Sequence, residues 1–112
     1  MVEKNKIFLK HILESIKIIE ETLKGVSEEQ YSQDITIQDA VIRRMEIIGE
    51  AVKNLDEAFI EKNQEIEFKK IARMRDKLIH HYFGVDLKLV WDTVQNDLPQ
   101  LKKNIEKLVG KK

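Results

Sequence analysis

Apolar residues recur along this chain every three or four positions, the interval at which a helix gathers side chains onto one face. Residues 5 to 24 carry Phe8, Ile12, Ile16, Ile19 and Leu23 in that register and end at Gly25, a residue suited to the left-handed position past a helix. Ser27 followed three residues later by Gln30 has the form of a capping box and predicts a short helical turn. Thr36 with Asp39 predicts the start of a second long helix, with an apolar stripe through Ile37, Val41, Met45, Ile48, Val52 and Leu55. Gly49 inside that helix costs about 1 kcal/mol relative to alanine, so a close helix crossing or a ligand approach is expected there. A third helix is predicted from about Glu65 to Phe83, ahead of Gly84, and a fourth opens after Asp86 as its cap. Pro99 lacks an N–H and disfavours a helical residue before it, which predicts a break near Asp97 and Leu98 and a last helix to about Val109. With no linker, repeat or low-complexity stretch, residues 1–112 are expected to form a single all-α domain, an antiparallel bundle of four or five helices.

Composition narrows the chemistry. A chain of 112 residues has room for one modest core and one site. The absence of cysteine removes disulfides, thiolate zinc sites and cysteine nucleophiles. Charges interrupt the N-terminal MVEKNKIFLKHILE, and no apolar run approaches a membrane span, so a soluble, cytoplasmic protein without a membrane partner is expected. A net charge of zero argues against a general nucleic-acid coat protein. The charge is segregated, however: residues 56 to 67 (DEAFIEKNQEIE) are mostly acidic, whereas residues 69 to 77 (KKIARMRDK) are mostly basic. A solvated helix face explains such a pattern, and so does a local anion site.

The stretch RMRDKLIHHY, residues 73 to 82, concentrates two arginines, two of the three histidines and a tyrosine. At about 100° per residue from Phe68, Arg75 falls at about −20° and Tyr82 at about −40°, within the apolar stripe of the third helix. A guanidinium placed there needs a partner. An ion pair with Glu46 or Glu50 of the second helix is one solution; a second subunit or an anionic ligand is another. His80 lies at about 120° on the same wheel, so it converges with Arg75 only if the helix bends, the arginine folds around, or a second copy contributes its own pair. Asp76, four residues before His80, is placed to accept from its ring and set its tautomer. His80 and His81 also fit a purely structural role at a helix C-terminus, and His11 reads as a satisfied structural histidine at the edge of the first stripe.

Metal catalysis fits poorly. His80 and His81 point about 100° apart, and the carboxylate-three-before-histidine spacing of bundle di-iron sites is missing, with Lys77 and Leu78 in those places. Gly-rich phosphate loops and serine-nucleophile patterns are also absent, and no cofactor is implied. Arginine, histidine and tyrosine together suit RNA cleavage by its own 2′-hydroxyl: histidine moves protons near neutral pH and arginine stabilises the extra charge on phosphorus. Such chemistry needs an acid and a base, which a symmetric dimer supplies as two histidines across one cleft.

These residues resemble a known family. Arg75, four residues, His80, one residue and Tyr82 match the signature of HepT-like toxins in the HEPN superfamily of all-α ribonucleases. RRMEIIGEAVKNL resembles their second-helix segment, and VWDTVQNDLPQLKKNIEKL their C-terminal helix. The resemblance implies a HEPN-like homodimer in which Arg75 and His80 of both chains form a metal-independent endoribonuclease cleft leaving 2′,3′-cyclic phosphate and 5′-hydroxyl ends. It implies a toxin held in check by an MntA-like minimal nucleotidyltransferase antitoxin, with Tyr82 as the acceptor of AMP. Some HEPN domains only bind nucleotides or scaffold a partner, so a non-catalytic nucleotide- or substrate-binding partner of a nucleotidyltransferase stands as the alternative.

Overall fold

A computed structural model of the chain describes residues 2–80 and 86–110, and for Ile79 and His80 the backbone alone. Among the described residues the regular structure is all helical, without strands. Five long helices match the expected bundle: α1 (Glu3–Thr22), α3 (Ile35–Lys53), α5 (Phe68–His80), α6 (Leu87–Asn96) and α7 (Leu98–Leu108). Two short ones, α2 (Glu28–Gln33) and α4 (Glu57–Lys62), lie between them. None of these helices is long and apolar enough to cross a membrane.

The helix boundaries follow from local chemistry. Leu23 closes α1, and Gly25 takes the left-handed φ of 74° that its lack of a Cβ permits. Ser27 and Gln30 form both arms of the expected capping box on α2. The cap of α3 is Asp34, whose carboxylate accepts from the Ile37 N–H at 3.2 Å, and Thr36 lies inside the helix. This corrects the expected start by two residues: an aspartate in extended backbone, at φ −120° and ψ 102°, meets the orphan N–H groups better than a threonine already in the first turn. Asp86 caps α6 as expected, accepting from Leu89 at 3.0 Å. Pro99 stands in the first turn of α7, where its missing N–H costs nothing, and divides α7 from α6 at Asp97.

The third long helix begins at Phe68 and not near Glu65, because residues 56–67 are occupied by α4 and a turn. That acidic segment holds on by few apolar anchors, chiefly buried Ile60 and Ile66 and half-buried Phe59 against Phe68. A buried Asn5 side chain accepts from the Asp56 N–H at 3.1 Å, tying the start of α4 to α1.

α3 is the central helix, packing against both α1 and α5. Its stripe buries Val41, Met45, Ile48 and Val52 fully, while Ile37 is only half-buried. Opposite them stand Leu9, Ile12, Ile16 and Ile19 of α1 and Phe68, Ile71, Met74 and Leu78 of α5. Gly49 accounts for the closeness of α3 and α5. A Cβ built there would overlap the Arg75 Cβ and stand 2.6 Å from its Cγ and 3.4 Å from its Cα. The crossing expected at this glycine is therefore a helix-to-helix contact, and the residue it presses upon is Arg75.

Candidate functional site

Arg75 leaves α5 at the Gly49 crossing, so its stem is clamped between two backbones while its head reaches the edge of the core. The Arg75 side chain is 24% exposed and its guanidinium meets Glu50 of α3, with Nη2 donating to Oε1 at 2.7 Å. Nη1 donates more distantly to Asp76 at 3.4 Å, and Nε is buried without a partner. Of the two acids expected from sequence, Glu50 is thus the one that answers the charge. It is a one-oxygen contact with a carboxylate that is itself 56% exposed, which leaves the pair open to exchange.

A cleft of ≈360 Å³ opens beside this pair. Arg75, Glu50 and Ala51 border it on one side, and Arg43, Glu46 and Ile47 continue the lining along α3. Phe8 and His11 of α1 close it, their rings edge-to-face at 5.7 Å and 87°. His11 is exposed here and shares the cleft with Arg75, a position that its place at the edge of the α1 stripe did not reveal.

Asp76 accepts from Lys53 of α3 as well as from Arg75, so its carboxylate bridges two cations. The hydrogen bond from Lys53, ahead of the contact with Arg75, holds its carboxyl below the usual carboxylate value. The His80 ring that Asp76 was expected to orient is not among the described side chains, and α5 is described as far as the His80 backbone. Tyr82 lies outside the described residues, as do His81 and Gly84, where the third helix was expected to end.

The remaining cations of α5 face elsewhere. Lys70, Arg73 and Lys77 line a separate groove with Asp92 and Asp97 from α6 and its C-cap. Lys69 pairs with Glu57 at 3.7 Å and Lys70 with Glu67 at 3.8 Å and Asp97 at 3.3 Å. Acidic and basic runs that are separate in sequence thus partly neutralise each other in space. Among the described residues no three histidine, aspartate or glutamate side chains gather as a metal site.

Residues 12–108 match the family described as "Ribonuclease HepT-like". A Methanocaldococcus jannaschii protein named as a gamma-glutamylcyclotransferase and candidate RNase is 54% identical over 104 residues, 93% of this chain; the chain spans about half of that protein, 47% of its length. A candidate RNase of Caldanaerobacter subterraneus subsp. tengcongensis is 43% identical over 104 residues, covering 93% of each chain. The "Probable ribonuclease HepT" of Thermococcus cleftensis is 47% identical over 108 residues, 96% of this chain and 98% of that one. No solved structure matches the chain significantly. A family match across nearly the whole bundle, with relatives of the same length, places this chain in the HepT-like ribonuclease family.

Proposed function

We propose that the chain is a ribonuclease toxin that cleaves RNA as a homodimer, with Arg75 and His80 of both copies meeting at one composite cleft. In this reading Arg75 holds the scissile phosphate and His80 moves the proton: the RNA 2′-oxygen attacks phosphorus, its proton passes to one histidine, and the other protonates the departing 5′-oxygen. No metal takes part in that step. Asp76, held to α3 through Lys53, orients the His80 ring in this reading. Tyr82 accepts AMP from an MntA-like nucleotidyltransferase antitoxin, and the added bulk and negative charge close the cleft to RNA.

The observation that carries the proposal is the state of Arg75: a side chain fixed by its stem at the Gly49 crossing and a quarter exposed, whose guanidinium has one short contact with an exposed carboxylate, a longer one with Asp76, and an Nε without a partner. A side chain recruited only for stability in a helix interface would be expected to fill its fork. The ribonuclease names of the relatives support RNA as substrate.

The test is cleavage of RNA by purified protein in the presence of a chelator, with end-group analysis and sedimentation in parallel. Arg75→Ala and His80→Ala should each abolish cleavage and growth arrest while the dimer persists. Growth arrest or undiminished cleavage by a folded double variant would refute the assignment. A second reading, a non-catalytic nucleotide-binding partner of a nucleotidyltransferase, draws on the Glu50 pairing, which already answers the charge of Arg75. It requires binding of RNA or ATP without scission.

A further inference from the structure

The cleft beside Arg75 offers more than a phosphate contact needs. Its floor is apolar, built from Ile47 and Ala51, and one wall is the Phe8–His11 ring pair with His11 exposed. Two cations stand in it, each accompanied by a carboxylate of α3: Glu46 lies 3.8 Å from Arg43 and Glu50 2.7 Å from Arg75. An apolar occupant would leave the cations unused, and a small free anion would leave the rings and floor unused. A nucleoside phosphate uses all three, because an aromatic ring accepts any base on its π-face and a guanidinium fork accepts phosphate oxygens. The volume of ≈360 Å³ falls within the roughly 300–1,000 Å³ of small-ligand sites.

We propose that the cleft between α1, α3 and α5 is the subsite for one unstacked nucleotide of single-stranded RNA, its base on the Phe8–His11 pair and its phosphate on Arg75 where Glu50 now sits. The inference rests on the ribonuclease reading. Paired bases stay stacked inside their helix and cannot reach a ring within a cleft, so single strands are the substrate class. Glu50 acts as the occupant that substrate displaces. It meets only Nη2, while Nε on the same edge of the guanidinium has no partner, so the side-on fork is half used. A phosphate offering two oxygens completes that fork as the exposed carboxylate swings into water. His11 is on this account a stacking residue and not a proton carrier.

Steady-state cleavage of a short single-stranded oligonucleotide by the full chain tests this, with affinities measured in a His80→Ala background and folding checked by circular dichroism. His11→Ala should raise KM about tenfold, the lower part of the range for one base–ring stack, while kcat falls less than about threefold. His11→Phe, which keeps a ring, should restore KM to within about twofold of the starting protein. Glu50→Gln should lower KM several-fold by removing the competing charge. If His11→Phe fails as badly as His11→Ala and shifts the pH profile, His11 carries a proton and the subsite as drawn is wrong. If KM is unmoved in His11→Ala and Glu50→Gln while the starting protein still cleaves RNA, the subsite is refuted and the ribonuclease reading survives. ATP binding lost in His11→Ala, with RNA affinity intact, would assign the cleft to a free nucleotide and overturn the RNA assignment. A protein that neither binds nor cuts RNA refutes both.

Discussion

Replacing Gly49 by alanine probes the contact on which the placement of Arg75 depends. Glycine in a helix interior is ordinarily a defect, and alanine there should stabilise by about 1 kcal/mol. The geometry reverses the sign. The new Cβ would collide with the Arg75 Cβ and stand 2.6 Å from its Cγ, against the roughly 3.5–4.0 Å at which carbon atoms rest. The first collision involves an atom bonded directly to the α5 backbone, which no rotamer change can move, so α3 and α5 must part by about 1 Å or more. Overpacking of this kind costs about 1–3 kcal/mol. Taking the upper end, because backbone must shift, and subtracting the helix gain leaves a net loss of about 2 kcal/mol. For a domain of this size that lowers Tm by about 8 °C at about 4 °C per kcal/mol. The assay is thermal and urea unfolding of Gly49→Ala alone and combined with Arg75→Ala or Arg75→Gly. Arg75→Ala keeps the offending Cβ and should give little relief; Arg75→Gly removes it and should show a favourable coupling above about 1 kcal/mol with Gly49→Ala. A Gly49→Ala protein more stable than its parent would refute the reasoning, since propensity alone would then account for the site.

Two further outcomes follow from described contacts. Asp34→Ala should destabilise by about 1 kcal/mol as the α3 cap is lost, whereas Thr36→Ala should change stability by a few tenths; equal effects in urea unfolding would contradict the boundary seen here. Burial pushes the Tyr31 phenol up to about 12, with the Asp86 and Glu28 charges adding to the effect, and its hydroxyl donates to the Leu87 carbonyl at 2.9 Å. The folded state then keeps this proton after the unfolded chain releases it near pH 10, so the contribution is complete below pH 10 and is lost as pH rises towards about 12. Unfolding free energies measured across that window should fall less steeply in Tyr31→Phe; an identical slope would show that Tyr31 does not couple to folding.

The long helices were readable because burial imposes a period that the residues must obey: Val41, Met45, Ile48 and Val52 are core residues in the structure as in the pattern. Short elements escaped. The six residues of α4 sit in an acidic run with few apolar anchors, and its start is secured by Asn5, some fifty positions away, which no local pattern encodes. The same limit applied to the site. Amphipathic placement flagged Arg75 as a charge in need of a partner and narrowed the acids to Glu46 and Glu50, but only the crossing at Gly49 selects Glu50. The spacing that pairs Asp76 with His80 gives no hint of Lys53, which reaches Asp76 from another helix. His11 passed as a structural residue because a helical wheel tells which residues face outwards and not which cleft they face.

The mutual pairing of charges on and around α5 governs how the protein would meet a polyanion in solution. Lys69, Lys70, Lys53 and Arg75 each already have a carboxylate neighbour, from Glu57, Glu67 and Asp97, Asp76, and Glu50 respectively. Cations with built-in counter-ions project little field beyond a Debye length and release few mobile ions on contact, so attraction to RNA in bulk should depend less steeply on ionic strength than it does for a basic coat. Encounter would then be unsteered and brief, and a transcript would be retained only where a strand fits the cleft.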